Sequence, residues 1–402
     1  MNVLFLSLGR YSSIKESEGY TDLLREFIRH GDKVYILSPV EKRDGSESKL
    51  IEEENSVIFW VRTGNITKTN FIEKGISTVM IESQFLSAIK KHFSDVKFDL
   101  VLYPTPPITF VKVVEYVKKR DGANTYLLLK DIFPQNAVDI GIMSTSGFKG
   151  VLYKYFRKKE KKLYDISDTI GCMSPANVKY VLNHNTEIDQ SKVEVCPNVI
   201  EIVDKSITAE KRVSIREKYG IPIHKKIFVY GGNLGRPQGI EFLVKCLESQ
   251  KDNDEVFFFI VGNGTDYGKL EDYYNSGKQK NFKLMSRLPK DDYDTVVAAC
   301  DVGLIFLDHR FTIPNFPSRL LGYLQAKLPV FACTDPNTDI GDVITDGGFG
   351  WWCESNSVEG FSQIIQEVLV ADTASMGLRA FDYLQEYYTV EKGYSIIQKR
   401  MK

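Results

Sequence analysis

The sequence predicts an α/β protein made of two doubly wound, Rossmann-like domains. Three observations carry this reading. The order strand, glycine loop, helix, strand opens the chain at Asn2 and opens it again at Lys225; a strand, loop, helix, strand unit fills Cys300–Asp335; and 402 residues suffice for two domains of ordinary size. Residues 1–203 are expected to form the first domain, 204–385 the second, and 386–402 a terminal helix that returns to the first.

Composition removes several function classes. With 43% apolar and 26% charged residues the chain reads as soluble and globular, and a net charge of −1 gives no electrostatic case for nucleic acid. No run approaches the ~18 apolar residues that a membrane span needs. The start, MNVLFLSLGR, lacks a basic leader and a cleavage site, so it reads as a first strand. Cysteines at 172, 196, 246, 300, 333 and 353 show no C-x-x-C spacing and no histidine pairing. They read as buried thiols of a reducing compartment, the cytoplasm, with no metal site and no bound cofactor.

In the first domain, Asn2–Leu8 is an apolar strand ending at Gly9, where a turn follows. A helix is expected over Thr21–Arg29, closed by Gly31, and VYILSP is the next strand. Residues 41–57 are charged and read as an exposed excursion. Ser77–Phe93 has helical spacing, FDLVLYPTPP is a strand entering a proline loop, and a helix follows from Ile108 to Lys119. NTYLLLK delivers Asp131 at a strand's carboxyl end, where open α/β sheets place ligands; capping of the following turn is the alternative role. The stretch 148–165 carries Lys149, Lys154, Arg157, Lys158, Lys159, Lys161 and Lys162 among Val151, Leu152, Tyr155, Phe156 and Leu163. A helix of this kind lies on an anionic membrane surface or presents a plain solvated face.

The second domain restarts at KKIFVYGGNLGRPQGIEFLV. Gly231, Gly232, Gly235 and Gly239 let backbone approach a ligand, although the spacing is not that of a dinucleotide fingerprint. Arg236 is the cation of this loop. KLMSRLPKDDYD leads through Arg287 and Leu288 into a helix whose Asp291 and Asp292 read as acids of its first turn. In Cys300–Asp335 the strand Val302–Leu307 runs through a polar loop into a helix entered at Pro317 and Ser318, with Leu320, Leu321 and Leu324 on one face. A helix start at a strand's carboxyl end favours phosphate. From Gly360 the chain reads as helix to its end.

The run FPSRLLGYLQAKLPVFA resembles the donor-site segment of family 4 glycosyltransferases, which have the GT-B fold of two Rossmann-like domains facing a cleft. DIFP after Lys130 is similar to the family's pattern in the first domain, and the likeness runs nearly end to end. It implies a nucleoside diphosphate sugar as donor and a surface glycan, lipid-linked, as acceptor. It also implies retention of anomeric configuration and no obligatory metal. Donor contacts are implied at Gly231, Gly232, Asn233, Arg236, Gln238, Arg287, Leu288, Asn315, Phe316, Ser318 and Arg319, a catalytic role at Asp131, and an acceptor-side place at Gly9, whose loop is similar to the family's first glycine loop. The family's paired donor glutamates fall on Pro314 and Gly322, and its loop arginine and lysine on Asn233 and Gln238. Those losses raise a second reading, an inactive glycosyltransferase-like partner protein; a sugar-nucleotide epimerase is a third. A peripheral position on the inner face of the cell membrane is expected through 148–165.

Overall fold

A computed structural model describes residues 1–17, 19–65 and 71–401, excepting the side chains of 71–79, 148, 149, 290 and 291. Lys149 and Asp291, named above, therefore lie outside the described side chains. The chain forms two compact units, Met1–Glu201 with Val390–Lys402, and Ile202–Thr389.

The first unit holds an eight-stranded sheet. Its strands are β1 (Asn2–Leu6), β2 (Lys33–Glu41), β3 (Lys49–Glu53), β4 (Ser56–Thr63), β5 (Leu100–Pro104), β6 (Asn124–Leu129), β7 (Thr169–Cys172) and β8 (Val193–Val195), in the order β3-β4-β2-β1-β5-β6-β7-β8. Every pair is parallel except β3 with β4. Parallel strands with both faces covered must be apolar throughout, and β1, β5 and β6 are buried along nearly their whole length. Val3, Phe5, Leu24, Phe27, Leu102 and Leu128 form one core with Ile397 of the terminal helix Val390–Gln398. Burying each such side chain contributes about 1.5–3 kcal/mol.

Residues 41–57 depart from the expectation of a bare excursion. Glu53 pairs with Ser56 across a two-residue turn, and the charged β3 closes the sheet edge against β4. Glu54 adopts φ 45° there without the Asn-Gly or Asp-Gly signature that announces such turns. Lysine and glutamate on β3 suit an edge strand, because charge there blocks pairing with another chain.

In the second unit, β9 (Lys226–Asn233), β10 (Val256–Asn263), β11 (Phe282–Met285), β12 (Val302–Phe306), β13 (Val330–Thr334) and β14 (Gly350–Glu354) form an all-parallel sheet in the order β11-β10-β9-β12-β13-β14. Phe228, Phe258, Phe306, Phe331 and Phe361 fill its core. The chain reverses direction across the sheet between β9 and β12, which makes their carboxyl ends the switch point. The tail is not one helix from Gly360. It is three, Val358–Val370, Thr373–Tyr387 and Val390–Gln398, because Asp372 caps the second through Ser375 N–H at 3.0 Å and breaks the run.

Candidate functional site

At the switch point, β9 ends in Tyr230-Gly231-Gly232-Asn233 and the loop returns through a short 3₁₀ turn, Arg236–Gln238. Gly231 is obligatory by contact: a Cβ there would stand 2.0 Å from the Tyr293 hydroxyl. Gly232 has φ +119°, which L side chains rarely adopt, and its α-carbon faces Arg319. Gln238, where the resemblance places a lysine, braces the loop instead. Its Oε1 accepts from Asn233 Nδ2 at 3.0 Å and from Gly235 N–H at 3.2 Å. The loop is tied to the neighbouring strand by Asp308 N–H donating to Pro237 O at 2.9 Å.

Arg319 opens the helix Arg319–Gln325 and lies across this loop end. Its guanidinium carbon stands 4.3 Å over the Tyr230 ring, and a Cβ on Gly232 would be 3.7 Å from Nη2. Nη1 is buried and has no hydrogen-bond partner, and no carboxylate pairs with Arg319 among the described residues. The tyrosines around it supply no anion, since burial raises the Tyr230 phenol and pushes Tyr293 up to about 12. Arg319 is half-buried, and a half-buried cation without a counter-ion carries a cost that a ligand would remove.

The helix start itself offers less than its sequence suggested. Leu320 N–H bonds to Pro317 O at 3.2 Å and Leu321 N–H to Ser318 O at 3.1 Å, so these groups are engaged within the turn. Ser318 is exposed and its side chain caps nothing. The charge for an anion therefore comes from the Arg319 side chain more than from the helix end. Arg236 is exposed and makes no ion pair among the described residues, while Arg310, a residue of the same loop region, is spent on Asp308 at 2.7 and 2.8 Å.

Asn315 and Phe316 lie in the loop before the helix. Asn315 O accepts from Thr338 Oγ1 at 2.5 Å, its Nδ2 is buried without a partner, and Phe316 packs against Tyr388. Asp335, at the end of β13, was not singled out by the sequence; its Oδ2 is also unpartnered, and burial pushes its carboxyl up to about 6. Arg287 and Leu288 sit at the carboxyl end of β11, two strands away from β9, with Arg287 exposed. No group of three or more His, Cys, Asp or Glu among the described residues is placed to hold a metal.

In the first unit, Asp131 follows β6. Its peptide is gripped by Thr105, whose Oγ1 donates to Asp131 O at 2.9 Å and accepts from Asp131 N–H at 3.1 Å. Burial pushes the carboxyl up to about 6, against the opposing effect of Asn136 Nδ2, which donates to Oδ1 at 2.6 Å. Asn136 Oδ1 is buried and unpartnered, a feature no sequence signal announced. Lys130 is drawn inward to the carbonyls of Cys196 and Pro197, at 3.1 and 3.2 Å. Gly9 lies exposed after β1, its carbonyl accepting from Ser38 Oγ at 2.9 Å.

Residues 211–376, which hold the Gly231–Gly239 loop and Arg319, match the family of glycosyl transferases group 1. A probable glycosyltransferase of Pseudomonas aeruginosa, WbjE, is 24% identical over 80% of this chain and 78% of its own. The chain is a GT-B-fold glycosyltransferase. A second relative of this glycosyltransferase is the putative colanic acid biosynthesis glycosyl transferase WcaI of Escherichia coli, 23% identical over 68% of this chain and 67% of its own. The fold is that of Anabaena Alr3699/HepE, solved in complex with UDP, at a TM-score of 0.69 and 14% identity over 99% of both chains. With named glycosyltransferases as relatives, the reading as an inactive partner protein is not favoured.

Proposed function

We propose that this glycosyltransferase moves a sugar from a nucleoside diphosphate sugar to a hydroxyl of a surface glycan carried on a membrane lipid, with retention and without an obligatory metal. The observation that carries the reading is Arg319, a cation at the switch point with a buried, unpartnered Nη1. As the bond from the anomeric carbon to the diphosphate breaks, its electron pair leaves on a phosphate oxygen. Arg319 offers that oxygen a charge-assisted N–H, and Arg236, exposed in the turn that follows β9, offers a second. On the acceptor side Asp131 orients the attacking hydroxyl. The UDP in the Anabaena structure supports a nucleotide sugar as donor, and the colanic acid assignment of the Escherichia coli relative supports a surface polysaccharide as product.

The lipid-linked acceptor is supported by the helix Gly147–Ile166. Val151 is 67% exposed and Tyr155 42%, and one further turn on the same face comes the exposed Lys158. Apolar and cationic side chains sharing an exposed helical face suit an anionic bilayer surface. No helix among the described residues is long and apolar enough to cross a membrane.

The test is a panel of nucleotide sugars with and without a lipid-linked glycan acceptor. Nucleoside diphosphate released only when acceptor is present is the expected result. A sugar altered without acceptor would make the protein an epimerase and overturn the reading.

A further inference from the structure

A cavity of about 380 Å³ opens in the second unit at the amino end of the central strand β9. Lys226 begins β9 and Gly231 lies near its end; at about 3.3 Å per residue the cavity lies roughly 17 Å along the strand from the Gly231–Arg319 site. Its walls are the helix Ala209–Lys218, the segment leading into β9, and Asp301. Arg212, Arg216, His224, Lys225 and Lys226 line it, and Val213 and Ile223, each 38% exposed, give it an apolar side.

Part of this charge is structural. Asp301 accepts from Arg216 Nη2 at 2.8 Å, from Arg212 Nη1 at 3.3 Å and from Ile227 N–H at 2.7 Å, which staples the helix to the start of β9. Arg216 also donates to Ala299 O at 2.8 Å and Ile223 O at 3.0 Å. The lysines have no such use. Lys226 Nζ, on a half-buried residue, finds among the described residues only the Thr373 hydroxyl at 3.3 Å. Lys225 reaches the fully exposed Asp254 at 3.7 Å, a pairing that water and salt screen. Arg212 keeps its side chain 43% exposed, with Asp301 its one ion-pair partner among the described residues. Four permanent cations thus meet two carboxylates, and the surplus is positive.

We infer that this cavity is a second anion site, for a phosphorylated ligand larger than phosphate itself. Guanidinium and ammonium groups converging beside an apolar wall fit a phosphoryl group attached to an organic body, and the volume is within the range of small-molecule sites. Two sources supply that chemistry, a soluble diphosphate and the phosphate head of a lipid. The site stands whether or not Arg319 binds donor.

Calorimetric titration with inorganic pyrophosphate tests it on three proteins. The full chain should show two binding events, and Arg319→Ala should retain the one at the cavity. Arg212→Gln with Lys226→Gln should weaken that event at least about tenfold, the expectation for losing charge-assisted hydrogen bonds. Because Arg212 touches Asp301, His224→Ala with Lys225→Gln serves as the variant that leaves the staple intact, and a melting curve accompanies each. Flotation with phosphatidylcholine vesicles, with and without phosphatidic acid, separates the sources: capture that the cavity variants lose assigns a lipid phosphate, and pyrophosphate binding without capture assigns a soluble one. Pyrophosphate and vesicle binding both unchanged in the two cavity variants would overturn the site.

Discussion

Replacing Arg319 by alanine should separate function from folding. The guanidinium stacks on Tyr230, but its Nη1 is buried without a partner. Removing a half-buried cation with an unsatisfied Nη1 costs little and can stabilise. Turnover should nevertheless fall by roughly one to two orders of magnitude if a charge-assisted bond worth about 1.5–3 kcal/mol forms at the leaving diphosphate. The expected pair is therefore a large loss of rate with an unchanged or higher melting temperature, and equal losses in both would make Arg319 a structural residue. Arg236→Ala should cost less, under about tenfold, since an exposed side chain holds its ligand in water. Asp131 belongs to the same scale. Its carboxyl, pushed up to about 6 by burial, binds more protons folded than unfolded between about pH 4 and pH 6. Its contribution to stability is thus present at low pH and is lost as pH rises through 6, whereas an acceptor-side carboxylate role requires activity to rise over that same interval. Asp131→Asn should flatten the activity limb; a limb that persists would assign it elsewhere, for instance to Asp335, which is also pushed up to about 6. The sequence made these residue-scale features only partly legible. Arg319 stood out only through the family resemblance, and Asp131 by its strand end. The Tyr230 platform did not, because a tyrosine closing an apolar strand looks like core. Gln238 looked like a lost lysine until its two hydrogen bonds showed a loop brace.

Among the elements, strands inside the parallel sheets were legible, because burial on both faces leaves continuous apolar runs such as Val302–Phe306 and Val330–Thr334. The β3-β4 hairpin was not, since Glu54-Asn55 carries no turn signature and the strand before it is polar. Tail breaks were missed because capping by Asp372 depends on one side chain's geometry. The basic helix Gly147–Ile166 shows how a charge run divides once folded. Arg157 is held by Glu160 and Asn185 at 2.6 Å each, and Lys159 is half-buried facing Glu82. Lys154 and Lys158 make no ion pair among the described residues. They are the cations a bilayer would meet, so Lys154→Gln with Lys158→Gln should weaken vesicle binding by about 1 kcal/mol per lysine removed. Tyr155→Ala should add to this without changing the salt dependence, as an apolar contact would. Vesicle sedimentation that ignores all three substitutions would leave a solvated helix.

For the whole molecule, two Rossmann-like units were legible from the repeated strand, glycine loop, helix order, and the chain's return to the first unit at Val390 rests on Ile397 entering that core. The second unit carries its own sheet and its own aromatic core, and every donor-side residue discussed above lies within Ile202–Thr389. A domain with its own core can fold alone. The expectation is that residues 202–389, produced separately, fold cooperatively and bind a nucleoside diphosphate while transferring no sugar. Binding should survive a chelator, because the charge is supplied by Arg319 and Arg236 in this reading. Thermal shift with the diphosphates of uridine, guanosine, thymidine and adenosine would also name the base, since a ligand that binds only the folded state raises the midpoint in proportion to the logarithm of its saturation. Two outcomes would count against the reading separately. A folded fragment that binds none of the four, where the full chain binds one, would mean that the donor site needs residues of the first unit. Binding abolished by chelator and restored by magnesium would mean that a metal, and not the arginines, meets the diphosphate.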